Sequence, residues 1–249
     1  MGLVTLTDHD CIEGAETLRR YPDFFVSEEV TCRMPSGTDT HVGVYNLTER
    51  DHLEVQKRRR DFVSLLMYLT EQKLFFSVNH VFSGLTGRRD ADDFHWFASY
   101  VPAFETRNGQ MWGEANRQAA RLARKLGKIA IAGSDAHAMR GVGMTYTEVR
   151  GATSVAEFFA GLRAKRGRVR GIEGSLTGLT RDVYQITGAM FQEKPATLAL
   201  LPLGVLIPAV TAGHWANEVW FCKKWAAHFQ DKSRAPRMLW DLQPGAERA

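Results

Sequence analysis

Short apolar runs alternate with stretches of helical period along most of this chain. Runs at 3–7, 26–32, 41–45, 74–78, 101–106, 129–132 and 145–149 are rich in β-branched and aromatic residues and predict strands. A helix is predicted at 15–20, halted by Pro22, and a long one at 49–73, capped by Thr48 with Leu53, Phe62, Leu65, Leu66 and Leu69 on its buried stripe. A third is predicted at 113–126, closed by Gly127. A fourth, at 154–167, opens on a capping box formed by Ser154 and Glu157. Segments 34–40 and 82–93 read as polar loops. The alternation through residue 170 predicts an α/β fold, a barrel or a layered sheet.

Polar residues recur where these strands begin or end. Asp8 and His9 follow the first run, Glu29 sits in the second, His41 opens the third, His80 follows the fourth, and Asp135 and His137 follow the apolar strand 129–132. Parallel strands bring their carboxyl ends to one rim, so these residues are expected to converge there. Glu28 and Glu29 must point to opposite faces of their strand, and Glu28 is taken as the outward one. Histidines and carboxylates in this number exceed the needs of one tetrahedral ion and predict a cluster of two or three metals, with Glu29 bridging. Nitrogen and oxygen donors without thiolate suit Zn²⁺, Mn²⁺ or Fe. Arg140, just past the last of these residues, is a candidate for phosphate recognition.

The motifs LTDHD at 6–10, SEEVT at 27–31, His41, Asn79-His80 and GSDAH at 133–137, in this order, resemble those of the PHP (polymerase and histidinol phosphatase) domain phosphoesterases over residues 1–165. The resemblance implies a distorted (β/α)7 barrel, up to three divalent metals and hydrolysis of a phosphorylated small molecule or nucleotide. It makes His9, Glu29, His41, His80, Asp135 and His137 the expected metal ligands and Asp8 a ligand or its supporting catalytic partner. Ser27 stands where the family has glycine and Val81 where it has proline, and the sequence contains no His-x-His, the family's first motif. The expectation is therefore an N-terminally truncated PHP domain over 1–170, lacking its first β/α unit, with fewer metals and weak turnover. A non-catalytic metal-binding or membrane-associated remnant is the alternative. Another metal hydrolase, cutting an amide or a cyclic ester, is a further rival.

Composition changes this picture little. The chain has 249 residues, 44% hydrophobic and 24% charged, with a net charge of +4. The basic excess lies in local runs at 57–60 and 163–170, read as solvated helix faces or ends, so nucleic-acid binding is not expected. Cys11, Cys32 and Cys222 are scattered without C-x-x-C spacing and read as free thiols in a reducing compartment. Residues 1–7 carry no charged leader pattern, and a cytoplasmic location is expected.

After residue 171 the motifs stop. A helix is predicted at 180–191, and residues 195–217 then contain no charged side chain. That run is long enough to cross a bilayer, although Pro202 and Pro208 interrupt it. Trp215, Trp220, Phe221 and Trp225 with Lys223 and Lys224 resemble an interfacial belt. The segment 171–249 is thus read as a helical, hydrophobic extension, with 195–225 attaching the protein to the inner face of a membrane or, as the alternative, forming a buried hairpin against the barrel or a dimer surface.

Overall fold

The turn after Arg33 spans only residues 34–38, and a connection that short can join only antiparallel strands. In the computed structural model, which describes residues 2–230, β1 (Ser27–Arg33) and β2 (Asp39–Tyr45) accordingly form a hairpin. β3 (Phe75–Val78) pairs antiparallel with β2, and β4 (Ala103–Asn108) and β5 (Ile129–Gly133) follow parallel, giving a five-stranded sheet in the order β1-β2-β3-β4-β5. β6 (Thr145–Glu148) and β7 (Arg168–Gly171) form a separate antiparallel pair. Among the described residues the strands do not close into a barrel. The expected (β/α)7 architecture is replaced by a mixed sheet because its first turns are a hairpin meander and not β/α crossovers.

Residues 3–10 do not form a named strand. They lie parallel to the chain at 24–29 through isolated bridges at Val4–Phe24 and His9–Glu29. Beyond them, α1 (Glu13–Leu18) precedes β1 and β2, which stand close to the apolar runs at 26–32 and 41–45.

The long helix expected at 49–73 is two helices, α2 (Glu49–Arg58) and α3 (Phe62–Glu71). Asp61 breaks it: its carboxylate accepts the backbone N–H groups of Val63 and Ser64 and caps α3, which leaves Leu53 exposed. Thr48 caps α2 as predicted, in a capping box with Asp51. Asp61→Ala is expected to lower stability by about 1 kcal/mol in denaturant unfolding, with little change in the dependence on denaturant concentration.

The loop expected at 82–93 ends early, because Asp90 and Asp93 form a capping box for α4 (Ala91–Tyr100). α5 (Gly113–Lys125) ends at Gly127, which takes a φ of 65°. α6 (Val155–Arg163) is capped by Ser154, but Glu157 reaches back to the Thr153 N–H and hydroxyl, not to Ser154. It stops short of 167, and the basic run beyond it is strand β7. α7 (Leu176–Glu193), a tight 3-10 stretch (Pro195–Leu206) and α8 (Ile207–Gln230) complete the described chain. The part of the expected extension from 231 onward lies outside the described residues.

Two apolar clusters sandwich the sheet. The larger joins Val30, Val42, Val44, Val78 and Phe104 to α2–α5 and to Phe221, Cys222 and Trp225 of α8. The smaller, on the opposite face, gathers Phe25, Phe75, Ala103, Ile129, Ile131, Phe159 and Leu162. Because side chains alternate along a strand, the face that carries Phe75, Ala103 and Ile131 also carries Ser77, Glu105 and Gly133. Apolar residues thus fill one end of this face, and polar ones are left at the other.

Candidate metal centre

The hairpin register decides which carboxylate enters the polar end. Glu29 lies opposite Gly43 and Thr31 opposite His41, so Glu29 and His41 share one face. Glu28, on the other face, lies opposite Val44. It is not outward in the sense of being solvated. It is fully buried, and its Oε2 is bound by His52 Nδ1 at 2.9 Å and by Gln56 Nε2 at 2.9 Å. Burial raises the Glu28 carboxyl above its ordinary range, and the His52 bond opposes the rise.

On the site face, Glu29 Oε1 stands 2.6 Å from His41 Nδ1 and 3.1 Å from His80 Nε2, and these two ring nitrogens are 3.0 Å apart. The His9 ring stacks obliquely on His41, centroid to centroid 4.7 Å. Donor atoms of His9, Glu29 and His41 all lie within 4.8 Å of one another. His9 is placed by its bridge to Glu29 and by the flanking backbone bonds from Glu29 N to Asp8 O and from Asp10 N to Glu29 O. Burial works against a charged Glu29, yet the bonds from His41 and His80 hold its carboxyl well below the ordinary carboxylate range. Burial likewise opposes a charged His80, but its bond to Glu29 and the nearby charges of Glu29, Glu105 and Asp135 raise it to about 9.

His80 is presented from the loop after β3 with a φ of 30°, a conformation rare for a side-chain-bearing residue. Two backbone bonds fix that loop: Asn79 N–H donates to His41 O at 3.0 Å, and His80 N–H donates to Glu105 Oε2 at 2.9 Å. Asn108 Nδ2 then links Glu105 Oε2 (3.0 Å) to Asp135 Oδ2 (3.1 Å). Asp135, with a φ of 48°, is therefore joined to the histidines through Asn108 and Glu105. Gly133 makes this arrangement fit, since a Cβ there would lie 2.9 Å from Glu105 Oε1. Full burial pushes Glu105 up to about 7.

The remaining expected residues stand apart. His137 is exposed, its Nδ1 3.0 Å from Asp135 O and 3.6 Å from Asp135 Oδ1, and it is not among the grouped donors. Asp8 is exposed at the start of α1, where its Oδ2 would meet a side chain at Gly14 at 2.6 Å. Arg140 pairs with Asp182 of α7 (Nε to Oδ1, 3.5 Å), and Asp182 also accepts from Gln110 Nε2 at 2.8 Å. Asp10, of the same LTDHD motif, is structural: it accepts the Thr31 N–H at 2.8 Å and pairs with Arg59 at 2.9 Å.

Glu105 and Asn108 are the residues that pattern reading undervalued. The available signal was a carboxylate inside an apolar strand, on the same face as Ala103. Tyr45, Ser77 and Asn79 form a chain beside them, with Tyr45 Oη 3.2 Å from Ser77 Oγ and Ser77 Oγ donating to Asn79 Oδ1 at 2.7 Å. Gly43 leaves the room this chain needs.

A divalent cation fits this set. Two donors bound to one ion at about 2.1 Å lie roughly 3.0–3.4 Å apart at right or tetrahedral angles, close to the spacings among Glu29, His41 and His80. The His80 ring presents Nε2 to Glu29 and His41, while its Nδ1 is buried with no hydrogen-bond partner. Glu29, His41, His80 and His9 are the residues that would hold the ion.

Residues 113–166 match the family model described as PHP-associated. Among curated protein sequences none matches. Among solved structures, PsfC from Pseudomonas syringae superposes with a TM-score of 0.51 at 20% identity, over 75% of this chain and 82% of that one. Looser likenesses, each with a TM-score of 0.42, are to a candidate metal-dependent phosphoesterase from Bifidobacterium adolescentis (10% identity; 70% of this chain, 87% of that one) and to an amidohydrolase from Chromobacterium violaceum with bound sulfate and no metal (15%; 68% and 87%). The matched segment, 54 of the 249 residues, runs from α5 through the GSDAH turn and past the end of α6.

Proposed function

We propose that the chain is a metal-dependent hydrolase of PHP type whose substrate is a phosphate ester. One observation carries this reading: a buried carboxylate, Glu29, is bracketed by two histidines within hydrogen-bond distance, and a third histidine, His9, stacks on one of them. When bound, a divalent ion supplies positive charge that polarises a phosphoryl oxygen and acidifies water. Glu29 stays ionised and would supply a negative charge to a bound ion. Glu105, near neutrality in its own titration, can hold or release a proton at physiological pH and steadies the His80 backbone. Asn108 keeps Asp135 turned toward the same end of the sheet.

A second reading, a metal-binding protein without turnover, draws on two observations: His137 is exposed, and Arg140 is engaged by Asp182. An assay with Zn²⁺ or Mn²⁺ on aryl phosphate, aryl phosphodiester and aryl amide substrates separates the readings. Metal-dependent release from an ester, abolished by chelation and restored by the ion, is the expected result. Tight metal binding with no turnover of any ester would favour the second reading, and turnover of the amide alone would move the chemistry to another bond.

A further inference from the structure

The expected membrane segment does not behave as one unit. Pro195–His228 is a continuous helical stretch long and apolar enough to cross a bilayer, but its far end belongs to the domain. Trp225 is only 7% exposed and packs on Phe94 with a centroid distance of 5.1 Å, Phe221 and Cys222 lie in the main core, and Glu218 accepts the Gly84 N–H at 3.1 and 3.2 Å. The aromatic belt read from the sequence is thus core packing where Trp225 and Phe221 are concerned. The near flank is seated too, because Asp182 of α7 is buried against Gln110 and Arg140. A chain docked on one domain at both 182 and 218 must leave that domain and return to it, which excludes a single crossing.

What lies between is apolar and uncovered. Leu200, Leu201, Leu203, Val205 and Leu206 are each about half exposed or more, Val205 at 78%, and they follow one another at spacings of one and two residues. Such spacing distributes them around the helix axis, so the segment is apolar on every side except the one against α7, where Tyr184 Oη donates to Gly204 O at 3.2 Å. A protein surface laid against this prong would dry one side, whereas the interior of a lipid leaflet dries all of them at once. Charge is compatible with lipid: residues 195–217 contain no charged side chain, the exposed Glu193 and Lys194 precede that run, and the exposed Lys223 and Lys224 follow six and seven residues after it. The 3-10 stretch, twelve residues at roughly 2 Å each, is about 24 Å long, less than the roughly 30 Å of a hydrocarbon core.

We propose that Pro195–Leu206 is a monotopic anchor, a helical prong that enters one leaflet of a bilayer while the catalytic-type sheet remains at its surface. The test is co-sedimentation of the full chain with vesicles of phosphatidylcholine, with and without phosphatidylglycerol. The unaltered chain is expected to sediment with both and more tightly with the anionic lipid. Val205→Asp and Leu201→Asp are each expected to weaken partition at least tenfold, while Val205→Leu and the remote, exposed Met67→Asp leave it unchanged. Circular dichroism and metal binding report whether each variant is folded, and both should be retained because Leu201 and Val205 touch no core cluster. Binding confined to anionic vesicles and indifferent to Val205→Asp would replace insertion by surface adsorption and overturn the proposal. So would a dimer in free solution that Val205→Asp dissolves and that ignores vesicles.

Discussion

Glu29→Gln should strip the protein of its metal and of its hydrolytic rate together. The substitution keeps shape and volume but replaces an anion, bound at 2.6 and 3.1 Å by two histidines, with a neutral amide. Its carboxylate is the one charge in the grouped donor set with His9 and His41, so the loss is not shared among neighbours. Removing one electrostatic contact of this kind lowers a rate by about 10²–10³, and loss of an ion lowers it further. Metal content per chain, read by elemental analysis after dialysis, should fall with activity. His137→Ala makes an informative contrast: because His137 is exposed and outside the donor group, its metal content should fall much less. Undiminished metal content in Glu29→Gln would refute the centre described here.

Metal affinity should also rise steeply with pH, and the cause is His80. In the metal-free protein His80 titrates at about 9, so at pH 7 its ring carries a proton that a bound ion must displace. Binding is expected to strengthen about tenfold per pH unit up to about 9 and then level off, a gain of roughly a hundredfold from pH 7. Calorimetry at pH 7 in buffers of different ionisation enthalpy should find about one proton released per ion. The stability of the metal-free chain should run the other way. A raised histidine contributes stability that is complete below its unfolded value, near 6.5, and lost as pH climbs through 9. Glu29, depressed, contributes above about 4.5 and loses its share as pH falls. Thermal melts of the chelated protein should therefore decline from pH 6.5 to 9, and added Zn²⁺ should restore them. An affinity flat across that range would remove His80 from the ligand set.

Much of this centre could be read from residue order. The apolar run that stops at Gly133, the helix ended by Gly127 and the Asn79-His80 pair stand where alternation and glycine placement put them, because those signals are local. Strand direction is not local. Nothing in the side chains of 26–45 states that β1 and β2 are antiparallel except the brevity of the turn between them, whereas the alternation by itself points to a rim of parallel strands. Helix continuity failed similarly at Asp61, where one capping carboxylate outweighed a heptad-like stripe. Glu105 is left open by its strand: a lone acid beside Ala103 and Phe104 reads equally as pocket lining or as packing until β3 brings the His80 amide to it. Trp225 misled for the opposite reason, since aromatic and basic residues in sequence look the same whether they face lipid headgroups or cover Phe94.

The adjacency of Glu28 and Glu29 bears on how the hairpin finds its alignment. Both acids have histidine partners, His52 on one side of the sheet and His41 with His80 on the other. A slip of one residue would exchange them and still leave each side with an acid near imidazole, so ionic matching alone is a poor judge of pairing. The discriminating residues are Val30 and Cys32, fully buried opposite Val42 and Thr40, which the same slip would turn toward the polar end while Thr31 entered the core. A misaligned hairpin is thus a plausible-looking kinetic trap with its charges satisfied and its aliphatic residues misplaced. Polar replacement of Val30 would deepen that trap and yield a slow refolding population, while Glu29, His41 and His80 themselves remained unaltered.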